Sequence, residues 1–139
     1  MASDTSEFAS AVAALFRETS ALYAAIARRF DLTSQQTQLL CTLSREQPSF
    51  GELAAMLGCD KTNVTGMVDR LERKGFLTRE KDAKDRRVSR VVLTEQGWAL
   101  REKIRAEFGQ GLSGRFAGLS TKDQAELVRL LRAAGSTGR

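Results

Sequence analysis

The side chains able to do chemistry crowd into one short window. Between Arg70 and Arg90 stand nine bases (Arg70, Arg73, Lys74, Arg79, Lys81, Lys84, Arg86, Arg87 and Arg90) against four acids, Glu72, Glu80, Asp82 and Asp85. That balance of +5 equals the net charge of all 139 residues, so the rest of the chain is neutral. A dense basic segment on a neutral body suits a polyanion, because clustered Lys and Arg release the counterions condensed on phosphates. A solvated charged loop is the competing explanation. Other chemistry is poorly supplied. There is no His, the usual general base and commonest zinc ligand. Cys41 and Cys59 are the only cysteines and lack the spacing of a zinc finger or disulfide framework. With no nucleophile–base pair, metal cluster or phosphate loop in view, the chain reads as a non-enzyme without metal or cofactor.

The elements around the window decide between a polyanion site and a plain loop. A 42% hydrophobic, 28% charged composition fits a folded domain. No apolar run reaches the roughly 20 residues a membrane span needs. The first residues lack a basic and apolar secretory leader, so a cytoplasmic protein is expected. One Pro and 6% aromatics argue against a loop-rich β-sandwich.

Helical spacing runs from about Thr5 to Phe30, a rod of about 40 Å. Thr33 and Gln36 form a capping box for a second helix, and Pro48 stops it. Ser49 and Glu52 repeat the cap before a short helix whose core face is Leu53, Ala54 and Leu57, ended by Gly58. Asp60 caps a further helix running to Lys74, closed by Gly75. Two helices around a Gly-containing turn form a helix-turn-helix. The period then changes: 76–81 and 88–94 alternate as strands around the charged tip 82–87. Thr94 caps a long helix through Trp98, Leu100, Ile104, Phe108, Leu112 and Phe116, in which Gly109, Gly111 and Gly114 favour a bend or break. Ser120 caps a last helix through Leu127, Val128, Leu130, Leu131 and Ala134, and residues 135–139 are expected to fray.

The expected fold is therefore mainly α: a winged helix-turn-helix with a two-stranded β-hairpin wing over 33–94. Helices from 1–32 and 95–139 carry more apolar side chains than so small a domain can cover. A homodimer would bury them and set two recognition helices about 34 Å apart.

On the helix 61–74, Val64, Met67, Val68 and Leu71 gather on the buried side. The opposite side shows Thr62, Gly66, Asp69 and Arg73, flanked by Asn63, Thr65 and Arg70. Lys61, Thr62, Asn63 and Thr65 stand in or beside the first turn, where a recognition helix meets base edges in the major groove, and Asn can read adenine bidentately. Gly66 would let the backbone approach a partner closely. In the hairpin, Lys84, Arg86 and Arg87 could enter a narrow minor groove, with Asp82 and Asp85 shaping the turn and orienting the arginines. Ser49 could hold a phosphate at its helix N-terminus, although capping already explains it. Cys41 reads as core. Cys59, in the turn beside Lys61, is the thiol at which an oxidation switch is conceivable, ordinary packing being the plainer reading.

The segments Leu53-Ala54-Ala55-Met56-Leu57-Gly58 and Val64 to Leu77 resemble the MarR family of bacterial transcriptional regulators. Asp82-Ala83-Lys84-Asp85-Arg86-Arg87 running into Leu93-Thr94-Glu95-Gln96-Gly97 is similar to the family's wing signature. The resemblance implies a homodimeric repressor on a palindromic DNA operator, with helix 61–74 in the major groove and Arg86 in the minor groove. It also implies release by a small aromatic or phenolic effector. Phe16, Arg17, Tyr23 and Trp98 are the residues expected at such a pocket, although packing accounts for each equally well. The alternative function is a protein-interaction winged helix whose basic hairpin docks an acidic partner.

Overall fold

The fold was taken from a computed structural model, which describes residues 2–136. Six helices and one hairpin follow in order: α1 (Ala2–Arg29), α2 (Ser34–Thr42), α3 (Phe50–Leu57), α4 (Lys61–Arg73), β1 (Leu77–Lys81), β2 (Ser89–Leu93), α5 (Glu95–Arg115) and α6 (Thr121–Ser136). The chain packs as two units, one up to Phe108 and the other from Gly109 onward.

Local chemistry sets most boundaries in the first unit. The Thr33 hydroxyl accepts from the Gln36 amide while the Gln36 side chain accepts from the Thr33 amide, both at 3.1 Å. At α3 the reciprocal half is missing. The Ser49 hydroxyl accepts from the Glu52 amide at 3.2 Å but donates to the Glu52 carboxylate at 3.1 Å. Gly58 ends α3 in the left-handed region, φ 66°, and the Asp60 carboxylate caps α4 through the Asn63 amide at 2.9 Å.

Those boundaries bring the apolar faces together. Leu39, Leu40, Leu43, Leu53, Val64, Val68, Leu71, Leu77, Val91 and Ile104 are buried in one core, joined by Ile26 of α1 and Phe50 of α3. The buried residues of α4 are Val64, Met67, Val68 and Leu71, the set its periodicity picks out. Leu57, by contrast, is only half-buried beside Leu53 and Ala54.

The hairpin is antiparallel, with Leu77 opposite Leu93, Arg79 opposite Val91 and Lys81 opposite Ser89. Its second strand has another neighbour: Ser49 bridges to Arg90, and the Val91 amide donates to the Pro48 carbonyl at 3.0 Å. The wing is thus tied to the chain entering α3. At its base the Thr94 hydroxyl donates to the Gly75 carbonyl at 2.6 Å and accepts from the Gly97 amide at 3.0 Å. Helix α5 comes so close here that a Cβ on Gly97 would lie 2.0 Å from the Phe76 carbonyl oxygen. Only glycine fits there, a packing reason for the Leu93-Thr94-x-x-Gly97 pattern.

The expected break in α5 is not found. The helix runs unbroken from Glu95 to Arg115 through all three glycines, since a glycine weakens a helix by only about 1 kcal/mol relative to Ala. Phe116 falls just outside it. Helix α6 begins at the Ser120 cap, whose hydroxyl accepts from the Asp123 amide at 3.1 Å. It continues through Gly135 to Ser136, so the fraying expected from residue 135 is absent at Gly135 itself. Residues 137–139, where fraying was also expected, lie outside the described residues.

Candidate nucleic-acid interface

Four of the expected contact residues line one cleft of about 350 Å³. Ser49 and Gly51 from the start of α3, Lys61 and Thr65 from α4, and Arg87 with Ser89 from the wing all border it. Arg79 of β1 joins them. Three cations and a helix N-terminus facing one concavity supply the features that attract an anion. Thr62 and Asn63 are exposed on the first turn of α4. The Thr65 hydroxyl donates back to the Lys61 carbonyl at 3.0 Å. A Cβ on Gly66 would meet no atom within 4 Å, so internal packing does not require a glycine there.

Arg70 and Arg73 stand apart from that cleft, at the other end of α4. They share a second concavity with Asp31, Leu32, Thr33, Gln36 and Lys74. Lys74 donates to the Asp31 carbonyl at 2.7 Å, where Asp31 adopts φ 55° between α1 and α2.

In the wing, the two acids organise the loop. One Asp82 oxygen accepts from the backbone amides of Lys84 and Asp85, at 3.0 and 2.8 Å. The other accepts from Arg90 Nε at 2.6 Å. Asp85 takes the Arg87 amide at 3.1 Å and grips the Arg87 guanidinium through both oxygens, at 3.0 and 3.2 Å. These arginines hold both carboxyls below the usual carboxylate range, Arg90 acting on Asp82 and Arg87 on Asp85. Lys84 and Arg86 remain exposed, and among the described residues no acid pairs with Arg86.

Sequence reasoning missed Arg79 and Arg90. Arg90 also donates to the Gln47 carbonyl at 2.8 Å and lies 3.6 Å from the Glu52 carboxylate, so it ties the wing to α3 and the loop before it. Arg79 pairs with Asp69 and approaches Glu72 at 3.6 Å, both on α4. One available signal was alternation: Arg79 stands two residues after buried Leu77 and opposite buried Val91, on the ribbon's inner face.

Of the residues expected at an effector pocket, Trp98 lines a cleft that Phe16, Arg17 and Tyr23 do not border. Phe16 is 70% exposed, and Arg17 is exposed too. Tyr23 stacks on Phe108 with ring centroids 4.6 Å apart, and burial pushes its hydroxyl pKa up. Trp98 instead lines a cleft with Ser44, Arg45, Gln47, Val92 and Leu93. Its ring lies under the Arg101 guanidinium at 5.3 Å, and Arg101 donates to the Leu43 carbonyl. Cys59 is half-buried against the core, its amide bonded to the Ala54 carbonyl at 3.1 Å. Cys41 is half-buried likewise, and burial pushes its thiol pKa up.

Two helices around a three-residue turn, followed by a hairpin anchored beside the second, define a winged helix-turn-helix. Residues 32–89 match the model of the MarR family. YkoM of Bacillus subtilis, an uncharacterized HTH-type transcriptional regulator, is 42% identical over 73 residues, 52% of this chain and 47% of YkoM. The match therefore spans about half the length of that relative. Among solved structures, wild-type apo MarR of Escherichia coli superposes with a TM-score of 0.76 at 26% identity, over 91% of this chain and 95% of MarR. BpsR of Bordetella bronchiseptica, whose DNA binding is regulated by 6-hydroxynicotinic acid, superposes at 0.73 with 26% identity over 91% of both chains.

Proposed function

We propose that this chain is a dimeric transcriptional regulator that binds palindromic double-stranded DNA in the cytoplasm. Helix α4 enters the major groove through Thr62, Asn63 and Thr65, and the wing brings Arg86 to the minor groove. The observation that carries this reading is the convergence of Lys61, Arg79 and Arg87 on one cleft between α4 and the wing. Phosphate contacts on that side would seat the helix for base reading. The name borne by YkoM, and the regulated DNA binding of BpsR, point the same way.

Dimerisation is supported by exposed apolar side chains. Phe8, Val12 and Phe16 of α1 are 71%, 51% and 70% exposed, at a four-residue spacing that makes one stripe. Val128, Leu130 and Leu131 of α6 are also exposed. Stripes of this kind are what a second copy would cover. Repression needs nothing beyond occupancy of the operator, and it is the mode assigned here. For the effector, the Trp98 cleft offers an aromatic face, an arginine and apolar strand residues, a chemistry suited to a small aromatic acid that releases DNA.

The test is a titration of duplexes from the gene's own upstream region. Affinity should fall steeply with salt, and Arg86→Ala should weaken it by about 1–3 kcal/mol. Equal titration by wild type and Arg86→Ala removes the minor-groove role from Arg86. Failure to bind any duplex, with capture of an acidic protein dependent on Lys84, Arg86 and Arg87, favours the protein-docking alternative.

A further inference from the structure

We infer that Arg79 is a positioning residue, which holds the wing at a set angle to α4 by gripping Asp69 and Glu72, so that helix and wing engage one duplex together. The inference rests on the DNA-binding reading above.

Three elements meet at this side chain. Arg79 belongs to β1, its guanidinium pairs with Asp69 and comes within 3.6 Å of Glu72 on α4, and it lies 5.2 Å from the centroid of Phe50 in α3. Its side chain is 33% exposed. The register explains why: Arg79 shares the ribbon's inner face with Leu77 and faces Val91 across the strands. A planar fork can bridge two carboxylates while stacking on a ring, and a lysine cannot.

Asp69 supplies the second line of argument. It stands on the helix face read as facing DNA, where a carboxylate would repel phosphates. Its contact with Arg79 gives that acid a task which offsets the repulsion. Yet Arg79 also borders the basic cleft and could itself touch a phosphate. The two roles predict opposite signs. If Arg79 is a phosphate ligand, Asp69→Asn removes a repulsive charge and frees the guanidinium, so DNA binding tightens. If Arg79 positions the wing, the same change loosens wing from helix and binding weakens.

The experiment uses the full chain and a duplex selected by the wild type from a random-sequence pool. Dissociation constants are measured for wild type, Asp69→Asn, Arg86→Ala and the double variant, well below the thermal transition of each. The expected result is about tenfold weaker binding by Asp69→Asn, with Arg86→Ala costing clearly less in that background than in the wild type. A pair that merely stabilises the fold would lower the melting temperature and leave the two effects additive. Arg79→Lys should weaken binding to a similar degree although its charge is kept. Unchanged or tighter binding by Asp69→Asn, or full additivity with Arg86→Ala, overturns the role. Should Asp69→Asn fail to fold, Glu72→Gln carries the same test of sign. A pool from which the wild type enriches no duplex overturns the DNA-binding reading, and this role with it, whereas enrichment with the wrong sign overturns the role alone.

Discussion

Replacing Gly97 by alanine, a change of one methyl group, should separate the wing from α5. The added carbon would lie 2.0 Å from the Phe76 carbonyl oxygen and 3.0 Å from Leu93 Cδ2. A carbon and a carbonyl oxygen sit comfortably at about 3.3 Å, so the helix start and the turn must part by about 1.3 Å. Neither side is a flexible side-chain tip. Phe76 contributes backbone, and its carbonyl already accepts from the Thr94 amide at 3.1 Å. A parting of that size breaks this bond and the Thr94 hydroxyl's bond to the Gly75 carbonyl. Two lost hydrogen bonds at about 1 kcal/mol each, with some disturbed packing of Leu93, give about 2–4 kcal/mol of destabilisation. Gly109→Ala on the same helix is the control. It meets nothing within 4 Å and should stabilise by about 0.5–1 kcal/mol, the helical preference for alanine. Urea unfolding of the three proteins measures both as shifts of midpoint at constant slope. Gly97→Ala within about 0.5 kcal/mol of wild type would refute the steric account. Two variants shifted in the same direction would do so as well.

Phe16→Glu should shift the protein toward single chains in sedimentation, because it places a charge within the exposed stripe formed with Phe8 and Val12; an unchanged mass removes α1 from the proposed interface. The wing acids set an acid limit. Asp82, Asp85 and Glu126 are held below the ordinary carboxylate value by Arg90, Arg87 and Arg129. The folded chain therefore binds fewer protons than the unfolded one near pH 4. Their contribution is complete above the unfolded carboxyl values, about 4, and is lost as pH falls through the lowered folded ones. The unfolding midpoint should drop on that descent, and less steeply for Asp82→Asn/Asp85→Asn; parallel profiles would remove the pairing from the account. Arg90→Ala should speed amide exchange of the 82–88 loop while the core exchanges as before, since Arg90 ties that loop to Gln47 and Asp82.

What could be read from the chain was what neighbouring residues decide between themselves. The Thr33 box, the Asp60 cap and the left-handed stop at Gly58 involve partners within four residues, and each stands where the spacing places it. The buried face of α4 follows from period alone. The wing's tip belongs in the same class, because Asp82 reaches Lys84 and Asp85, and Asp85 reaches Arg87. Hidden from such reading were contacts that depend on how elements dock. Arg90 meets Gln47 across 43 residues, and the bridge between Ser49 and Arg90 adds a pairing that no local alternation announces. Glu52 shows how docking overrules a local motif. With Arg90 3.6 Å away and the Ser49 hydroxyl donating to it, its carboxylate has partners that the capping box would otherwise deny it. Trp98 similarly lines its cleft with strand and loop residues rather than with the α1 residues whose types resembled a pocket.

The acids of the basic segment remain to be reconciled with the proposed polyanion partner. An arginine holding one geometry gives up about 2 kcal/mol of rotamer freedom, and a phosphate that must order it at the moment of binding bears that cost. Asp85 grips Arg87, and Asp82 grips Arg90, within the wing itself. On the DNA-binding proposal, each carboxylate trades some attraction for phosphate against a lower cost of ordering its arginine. Arg86, exposed in the same loop, is left outside such a pair. A segment built only of cations would bind any duplex strongly and none in a defined pose. With its acids placed inside arginine pairs, the segment keeps its +5 balance and ties the wing loop to the chain before α3, an arrangement that the proposed DNA binding would use.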